Sequence, residues 1–207
     1  MLLYFVRHGK TEWNEEGRFQ GANGDSPLLK EAYADISKLG QVLAPITFDK
    51  AFSSDLKRAK DTAQLLMANN HKPQVITETK ALREWALGKL EGQKISLVEA
   101  IYPSQMQAFR QNLGIFRPHL FEAESVFQAT HRLETFLKEN LSLHEKHVLL
   151  VGHGAHLTAS IRHLLGYEPA RLRASGGLDN ASLTILETDD LRHYKLLSWN
   201  DTSHYKS

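Results

Sequence analysis

Apolar residues are spaced along this chain in two ways. The runs LLYFV at residues 2–6 and HVLLVG at His147–Gly152 are uninterrupted and end in glycine-bearing turns, as strands buried on both faces do. Elsewhere the apolar positions step by three and four. Leu28, Ala32, Ile36, Leu39 and Leu43 predict one helix, with Pro27 at its first position. Leu56, Ala59, Ala63 and Leu66 predict a second, which Ser53, Ser54 or Asp55 would cap. Val126, Ala129, Leu133 and Leu137 predict a third behind Ser125, and residues 157–165 a fourth that Gly166 ends. Short strands are predicted at residues 50–53 and 74–77. Residues 181–187 and 191–199 would pair as a hairpin across 188–190.

Strands alternating with helices predict a three-layer α/β/α fold with a mostly parallel central sheet. From about residue 93 to 123 the rhythm breaks, with Pro103, Gly114 and Pro118 interrupting weak helical patterns. This stretch reads as a small helical insertion, a lid, within one domain over residues 1–207. In open α/β sheets ligands sit beyond the carboxyl ends of the strands. The two apolar runs end in Arg7-His8-Gly9 and Gly152-His153-Gly154. Parallel and adjacent, they would deliver two histidines and an arginine to one rim.

Composition narrows the picture by exclusion. The 207 residues are 42% hydrophobic and 24% charged, an ordinary globular balance, and the net charge of +1 gives no footprint for nucleic acid or a membrane surface. Cysteine is absent, which removes disulfides, zinc-thiolate sites and cysteine nucleophiles. No apolar run approaches the roughly 18 residues of a membrane span, and the opening segment is too short for a signal-peptide core. A cytoplasmic protein is expected. The 11 histidines are many for this length. His144/His147 and His153/His156 are spaced like helical metal ligands, but no carboxylate pattern accompanies them, so no metal is expected. No phosphate-binding GxxxxGK[ST] loop is present.

The chemistry-bearing residues fall into ordered blocks. Arg7-His8-Gly9-Lys10-Thr11-Glu12-Trp13-Asn14 is followed by Arg18-Phe19-Gln20-Gly21, and Ser53-Ser54-Asp55-Leu56-Lys57-Arg58-Ala59 by Thr62-Ala63. Then come Leu82-Arg83-Glu84 with Gly88 and Glu91-Gly92, Glu124-Ser125, Gly152-His153-Gly154, and the tail Asn200-Asp201-Thr202-Ser203-His204. In this order, from residue 2 to about 204, they resemble the histidine phosphatase superfamily, the phosphoglycerate-mutase-like proteins, and its phosphatase branch.

The resemblance implies the phosphoglycerate-mutase-like fold and a catalytic set of His8, Glu84, Arg7, Arg58 and His153. It places Arg7, Asn14, Gln20, Gly21, Arg58 and Gly154 at the substrate. A neutral imidazole suits attack on a phosphate dianion, because it brings no charge to repel it and is largely free base at neutral pH. His8 is thus the expected nucleophile, forming a phosphohistidine. Guanidiniums on Arg7 and Arg58 would grip the non-bridging oxygens, with His153 as a cationic donor beside them. Glu84 would protonate the leaving oxygen and later deprotonate water, a bound phosphate keeping it protonated near neutrality. No metal or other cofactor is required.

Other residues invite plainer readings. Glu91 competes with Glu84 only if the register slips, Asp55 and Asp61 are the expected ion-pair neighbours of Arg58, and Asn180 weakly matches a position beside the site. Trp13 and Trp85 read as packing residues, and Ser125 as an N-cap. His71, His131, His144, His163, His193 and His204 read as solvated. Lys10 stands where the family usually has Glu or Gln and is expected to face solvent. Leu29, Ala32 and Ala123 replace the usual Thr, Gly and Gly near helix starts.

Two activities fit: a metal-independent phosphatase acting on phosphate monoesters of small metabolites, or a cofactor-dependent phosphoglycerate mutase. Only 40 positions separate Glu84 from Glu124, a smaller insertion than mutases of the family carry. A smaller lid excludes water less well and so favours hydrolysis. A binding-only protein is disfavoured because the catalytic set is complete. Arg110, Arg117 and His119 hint at a second anionic group on the substrate; Phe109, Phe116 and Phe121 hint at an apolar body or at lid packing. The expected partner is a small phosphorylated metabolite, with neither nucleic acid nor membrane, and a homodimer is left open.

Overall fold

The two apolar runs are neighbouring parallel strands. In the computed structural model, which describes residues 1–206, the strands are β1 (Leu2–Arg7), β2 (Lys50–Ser54), β3 (Ile76–Thr79), β4 (His147–Gly152), β5 (Leu183–Glu187) and β6 (Lys195–Asp201). They form one six-stranded sheet in the order β3-β2-β4-β1-β5-β6. β1 pairs in parallel with β4, β4 with β2, and β2 with β3; β5 alone runs against its neighbours. The mostly parallel sheet is therefore mixed, with its antiparallel part at one edge.

The helices are α1 (Glu12–Glu15), α2 (Ala32–Leu43), α3 (Lys57–Asn69), α4 (Ile95–Ile101), α5 (Pro103–Gln111), α6 (Val126–Asn140) and α7 (Gly154–Leu164). Alternation along the buried strands sorts them into layers. Tyr4, Val6, Leu149 and Val151 face α2 and α3 through Ile36, Leu39, Leu43, Ala63 and Leu66. Leu3, Phe5, Val148 and Leu150 face α6 and α7 through Leu133, Leu137, Leu157 and Ile161. Each of the Leu, Ile, Val and Phe side chains among them, fully buried, contributes about 1.5–3 kcal/mol. A third cluster, including Trp85, Leu90, Val98, Met106, Phe109, Phe116 and Phe121, packs α4, α5 and the following turn against α6 and α7 at Ala129 and Ala159.

Several boundaries differ from the pattern. α2 begins at Ala32, because Leu28 forms a bridge with Thr11 and leaves Pro27 outside the helix. Ser53 and Ser54 belong to β2, and the first N–H of α3, on Lys57, is capped across space by Asp25 Oδ2 at 2.7 Å. β3 lies two residues beyond its expected place. The last hairpin has a longer loop: Thr188 Oγ1 accepts from Leu191, and Asp190 Oδ1 from Arg192 and His193, delaying β6 to Lys195. Ser125 does cap α6, in a reciprocal pair with Gln128.

Candidate active site

β1 and β4 end side by side, with Arg7 opposite Gly152 and the His8 N–H donating to the Gly152 carbonyl at 3.0 Å. The His8 ring is 3% exposed. Its Nδ1 lies 2.7 Å from the Gly9 carbonyl. A carbonyl only accepts, so Nδ1 carries the proton and Nε2 keeps its lone pair. Burial, then Arg58 and Arg7, hold its pKa well below the usual histidine value, so the ring is neutral. Gly9 is needed here for close approach: a Cβ would lie 2.6 Å from Ile36 Cδ1 on α2.

Around His8 stand donors without partners. Arg7 gives Nη1 to the Leu178 carbonyl at 2.5 Å. Arg58 gives Nη1 to the Gly24 carbonyl and Asp25 Oδ1, at 2.8 and 2.9 Å, and Nη2 to the Gly21 carbonyl at 3.1 Å. Arg7 Nε, Arg58 Nε and both ring nitrogens of His153 are buried with no hydrogen-bond partner among the described residues. Such groups are costly to bury unpaired, and together they form a cradle suited to an anion. The His153 ring lies 5.1 Å from that of His8. Burial, then the nearby guanidiniums of Arg58 and Arg7, hold its pKa well below the usual histidine value, so the ring is neutral before an anion binds. Gly154 lets Arg7 lie across the start of α7; a Cβ there would sit 2.9 Å from Arg7 Cζ and Nε.

Glu84 is placed by the start of α7. Its Oε1 accepts from the N–H groups of Trp85 and His156, at 2.8 and 2.7 Å, and its Oε2 from that of Ala155 at 3.0 Å. Free N–H groups at a helix N-terminus favour such a carboxylate. Oε2, with one N–H, is the oxygen with capacity left for a proton. The loop carrying Glu84 is fastened on both sides. Arg83 grips Asp55 through two bonds of 2.7 and 2.8 Å. Arg132 on α6 grips Glu124 and donates to the carbonyls of residues 80, 81 and 83.

A cavity of about 210 Å³ opens over these groups. Arg7, His8, Asn14, Gln20, Glu84 and Gly154 line it, as do Phe109 and Arg110 of the 93–123 segment. Arg58 and His153 lie behind its wall, with exposures of 1% and 0%. Gln20 is at the wall, but its amide is taken up by Thr11 and Ser26. Gly21 is not at the wall: its carbonyl serves Arg58, and a Cβ would strike the Glu91 carboxylate. Glu91 itself accepts from the N–H groups of Ala22, Asn23, Gly24 and Leu87, and so fastens that loop. Asn180 donates to the His8 carbonyl and to Asn14 Oδ1.

Some plain readings change. Arg58 pairs with Asp25, while Asp55 pairs with Arg83 and Asp61 with Lys57, since the loop after Gly21 folds over the helix start. His131, His163 and His204 are half-buried and bonded to Phe127, Glu134 and Ala181 respectively. Arg117 and His119 stay off the cavity wall, while Arg18, from the second motif block, and Arg173, which no motif marked, are on it. Phe116 and Phe121 pack in the third core cluster. Lys10 is exposed and pairs with Glu15.

Known proteins match the chain over nearly its whole length. A sequence model described as histidine phosphatase superfamily (branch 1) matches residues 3–202. A metal-independent phosphoserine phosphatase of Arabidopsis thaliana is 32% identical, covering 99% of this chain and 83% of its own. A probable phosphoglycerate mutase, GpmB, of Proteus mirabilis is 33% identical over 90% of this chain and 85% of its own. Among solved structures, a mycobacterial glucosyl-3-phosphoglycerate phosphatase in complex with VO3 superposes with a TM-score of 0.83 at 29% identity, over 96% of this chain and 98% of the other.

Proposed function

The chain belongs to the histidine phosphatase superfamily, and from that premise we propose that it is a metal-independent phosphatase hydrolysing phosphate monoesters of small metabolites. The observation that carries this reading is a buried, neutral His8 with a free Nε2 lone pair, set beside Arg7 Nε, Arg58 Nε and the His153 ring nitrogens, all buried and without a hydrogen-bond partner among the described residues.

In the first step Nε2 attacks phosphorus, a P–N bond forms as the P–O bond breaks, and Glu84 gives its proton to the departing oxygen. Arg7, Arg58 and His153 stabilise charge on the three non-bridging oxygens in a loose transition state. As the phosphoryl group arrives, its negative charge favours the cationic form of His153. In the second step Glu84 takes a proton from water, which attacks the phosphohistidine and releases phosphate and neutral His8. Asn14 and the Gly154 N–H complete the phosphate contacts. The 93–123 segment acts as a lid through Ile95, Phe109 and Arg110 on the cavity wall.

This chemistry needs no metal, and activity should persist in excess chelator. The reading keeps the enzyme cytoplasmic, one domain with a lid, acting on a freely diffusing metabolite. The resemblance to a probable mutase favours phosphoglycerate mutase as the second reading. Incubation with a phosphoglycerate separates the two: free phosphate supports the phosphatase, and an isomerised product without free phosphate the mutase.

A further inference from the structure

The outer wall of the catalytic cavity is basic as well. Arg18, Arg110 and Arg173 line it together with Arg7. Arg18 is tied to Glu16, and Arg110 to Glu99. Arg173 is different: among the described residues no carboxylate lies within ion-pairing distance of it. Resting on the phosphatase reading, we propose that Arg173, seconded by Arg110, forms a subsite for a second anionic group, so that the enzyme prefers esters whose body carries a carboxylate or another phosphate.

The geometry holds Arg173 ready for that role. Its Nη1 donates to the Phe109 carbonyl at 2.9 Å, and its guanidinium lies 4.3 Å above the centre of the Phe109 ring. These contacts fix the plane of the fork. Nε and Nη2 are left without a partner among the described residues, and this is the edge of arginine that takes a carboxylate or phosphate through two parallel bonds. Burial lowers its pKa to about 10, opposed by Glu84 and reinforced by Arg110 and Arg7. The group remains charged at neutral pH and is only partly exposed, with its free edge open to the cavity.

A neighbouring cavity of about 340 Å³ supports the same assignment. Arg110, Gln111, Arg173, Ala174, Gly176 and Gly177 line it, and Arg110, Arg173 and Gly177 also line the catalytic cavity. The two arginines therefore stand where the cavities meet. An ester with its phosphate at His8 would present its far end to them, across apolar surface from Phe19, Leu87, Ile95 and Phe109. Arg173 lies outside every motif block of the sequence, so this subsite is set by the packing of α5 against residues 172–178.

The test compares esters that differ only in the second anion: 3-phosphoglycerate against glycerol 3-phosphate, and fructose 1,6-bisphosphate against fructose 6-phosphate. Phosphate release is read as kcat/KM, with nitrophenyl phosphate as a probe of the reaction itself. The wild type should favour the doubly anionic ester by roughly 10- to 100-fold in at least one pair, the range of a hydrogen-bonded charge pair. The pair that discriminates tells carboxylate from phosphate. Arg173→Gln should shrink that ratio to within about threefold, and Arg173→Lys, a charge without the fork, should fall between. A ratio taken within one protein cancels any loss of folded enzyme. Nitrophenyl phosphate hydrolysis without preference in either pair overturns the subsite while the phosphatase reading stands. So does a preference that survives in Arg173→Gln, which would leave Arg173 as a clip between α5 and its neighbour. If no ester is cleaved, the phosphatase reading fails, and calorimetric binding of the same pairs decides the subsite, equal affinities overturning it.

Discussion

Replacing His156 by glutamine should make the protein less sensitive to mild acid. His156 is fully buried on α7, with Nε2 donating to the Ala129 carbonyl at 3.0 Å. Burial and the nearby Arg132 push its pKa well below the ordinary histidine value; burial and Arg58 do the same to His8 and His153. In the unfolded chain all three titrate near 6.5. Below that value the unfolded state binds protons that the folded state refuses, so stability is complete above about pH 7.5 and falls as pH drops through 6.5. Each group costs about 1.4 kcal/mol between pH 7.5 and 5.5, and the three together about 4 kcal/mol. Asp49, Asp55 and Asp179 have lowered pKa values, so their contribution is lost only at lower pH and leaves this window clear. Glutamine keeps a donor for the Ala129 carbonyl and does not titrate, so the share owed to His156, about 1.4 kcal/mol, should disappear. Urea midpoints at pH 7.5, 6.5 and 5.5 measure it. A wild type that loses less than about 1 kcal/mol across the window, or a variant with an unchanged pH slope, would refute the reasoning.

Two further outcomes are expected. Gly154→Ala should push Arg7 off the cradle and lower kcat/KM by about 100-fold, the scale of one transition-state donor, with little change in Tm; steady-state rates and thermal unfolding check both halves. Glu84→Gln should slow cleavage of alkyl phosphates severely. With nitrophenyl phosphate, whose leaving group needs no proton, it should instead give a burst followed by slow turnover. Equal slowing of both esters, without phosphoprotein, would remove Glu84 as the acid.

Much of the sheet was legible because β1 and β4, buried on both faces, have nowhere to place a polar residue until the chain turns at Gly9 and Gly152. That same property put His8 and His153 on one rim. The helices on either face were legible for a similar reason, their apolar positions recurring at the helical period. What escaped depends on contacts between distant segments. β3 (ITET) is a half-exposed strand with no apolar run to announce it. Asp25 caps α3 and pairs with Arg58 from 33 positions away. Two of the three N–H groups that hold Glu84 lie 71 and 72 positions further along the chain. Arg173 sits in a polar stretch, RLRASGG at residues 171–177, and gains its place only when Phe109 packs beside it. Local spacing carries none of these.

The most direct test of the account is to trap the intermediate. Protein mixed with an ester carrying labelled phosphate, quenched in base within one turnover and digested, should yield one labelled peptide, residues 2–9 among its sequence, with phosphate on His8. The label should survive alkali, be lost in acid, and be absent from His8→Ala. Turnover without any such phosphoprotein, or label on a residue other than His8, would contradict it.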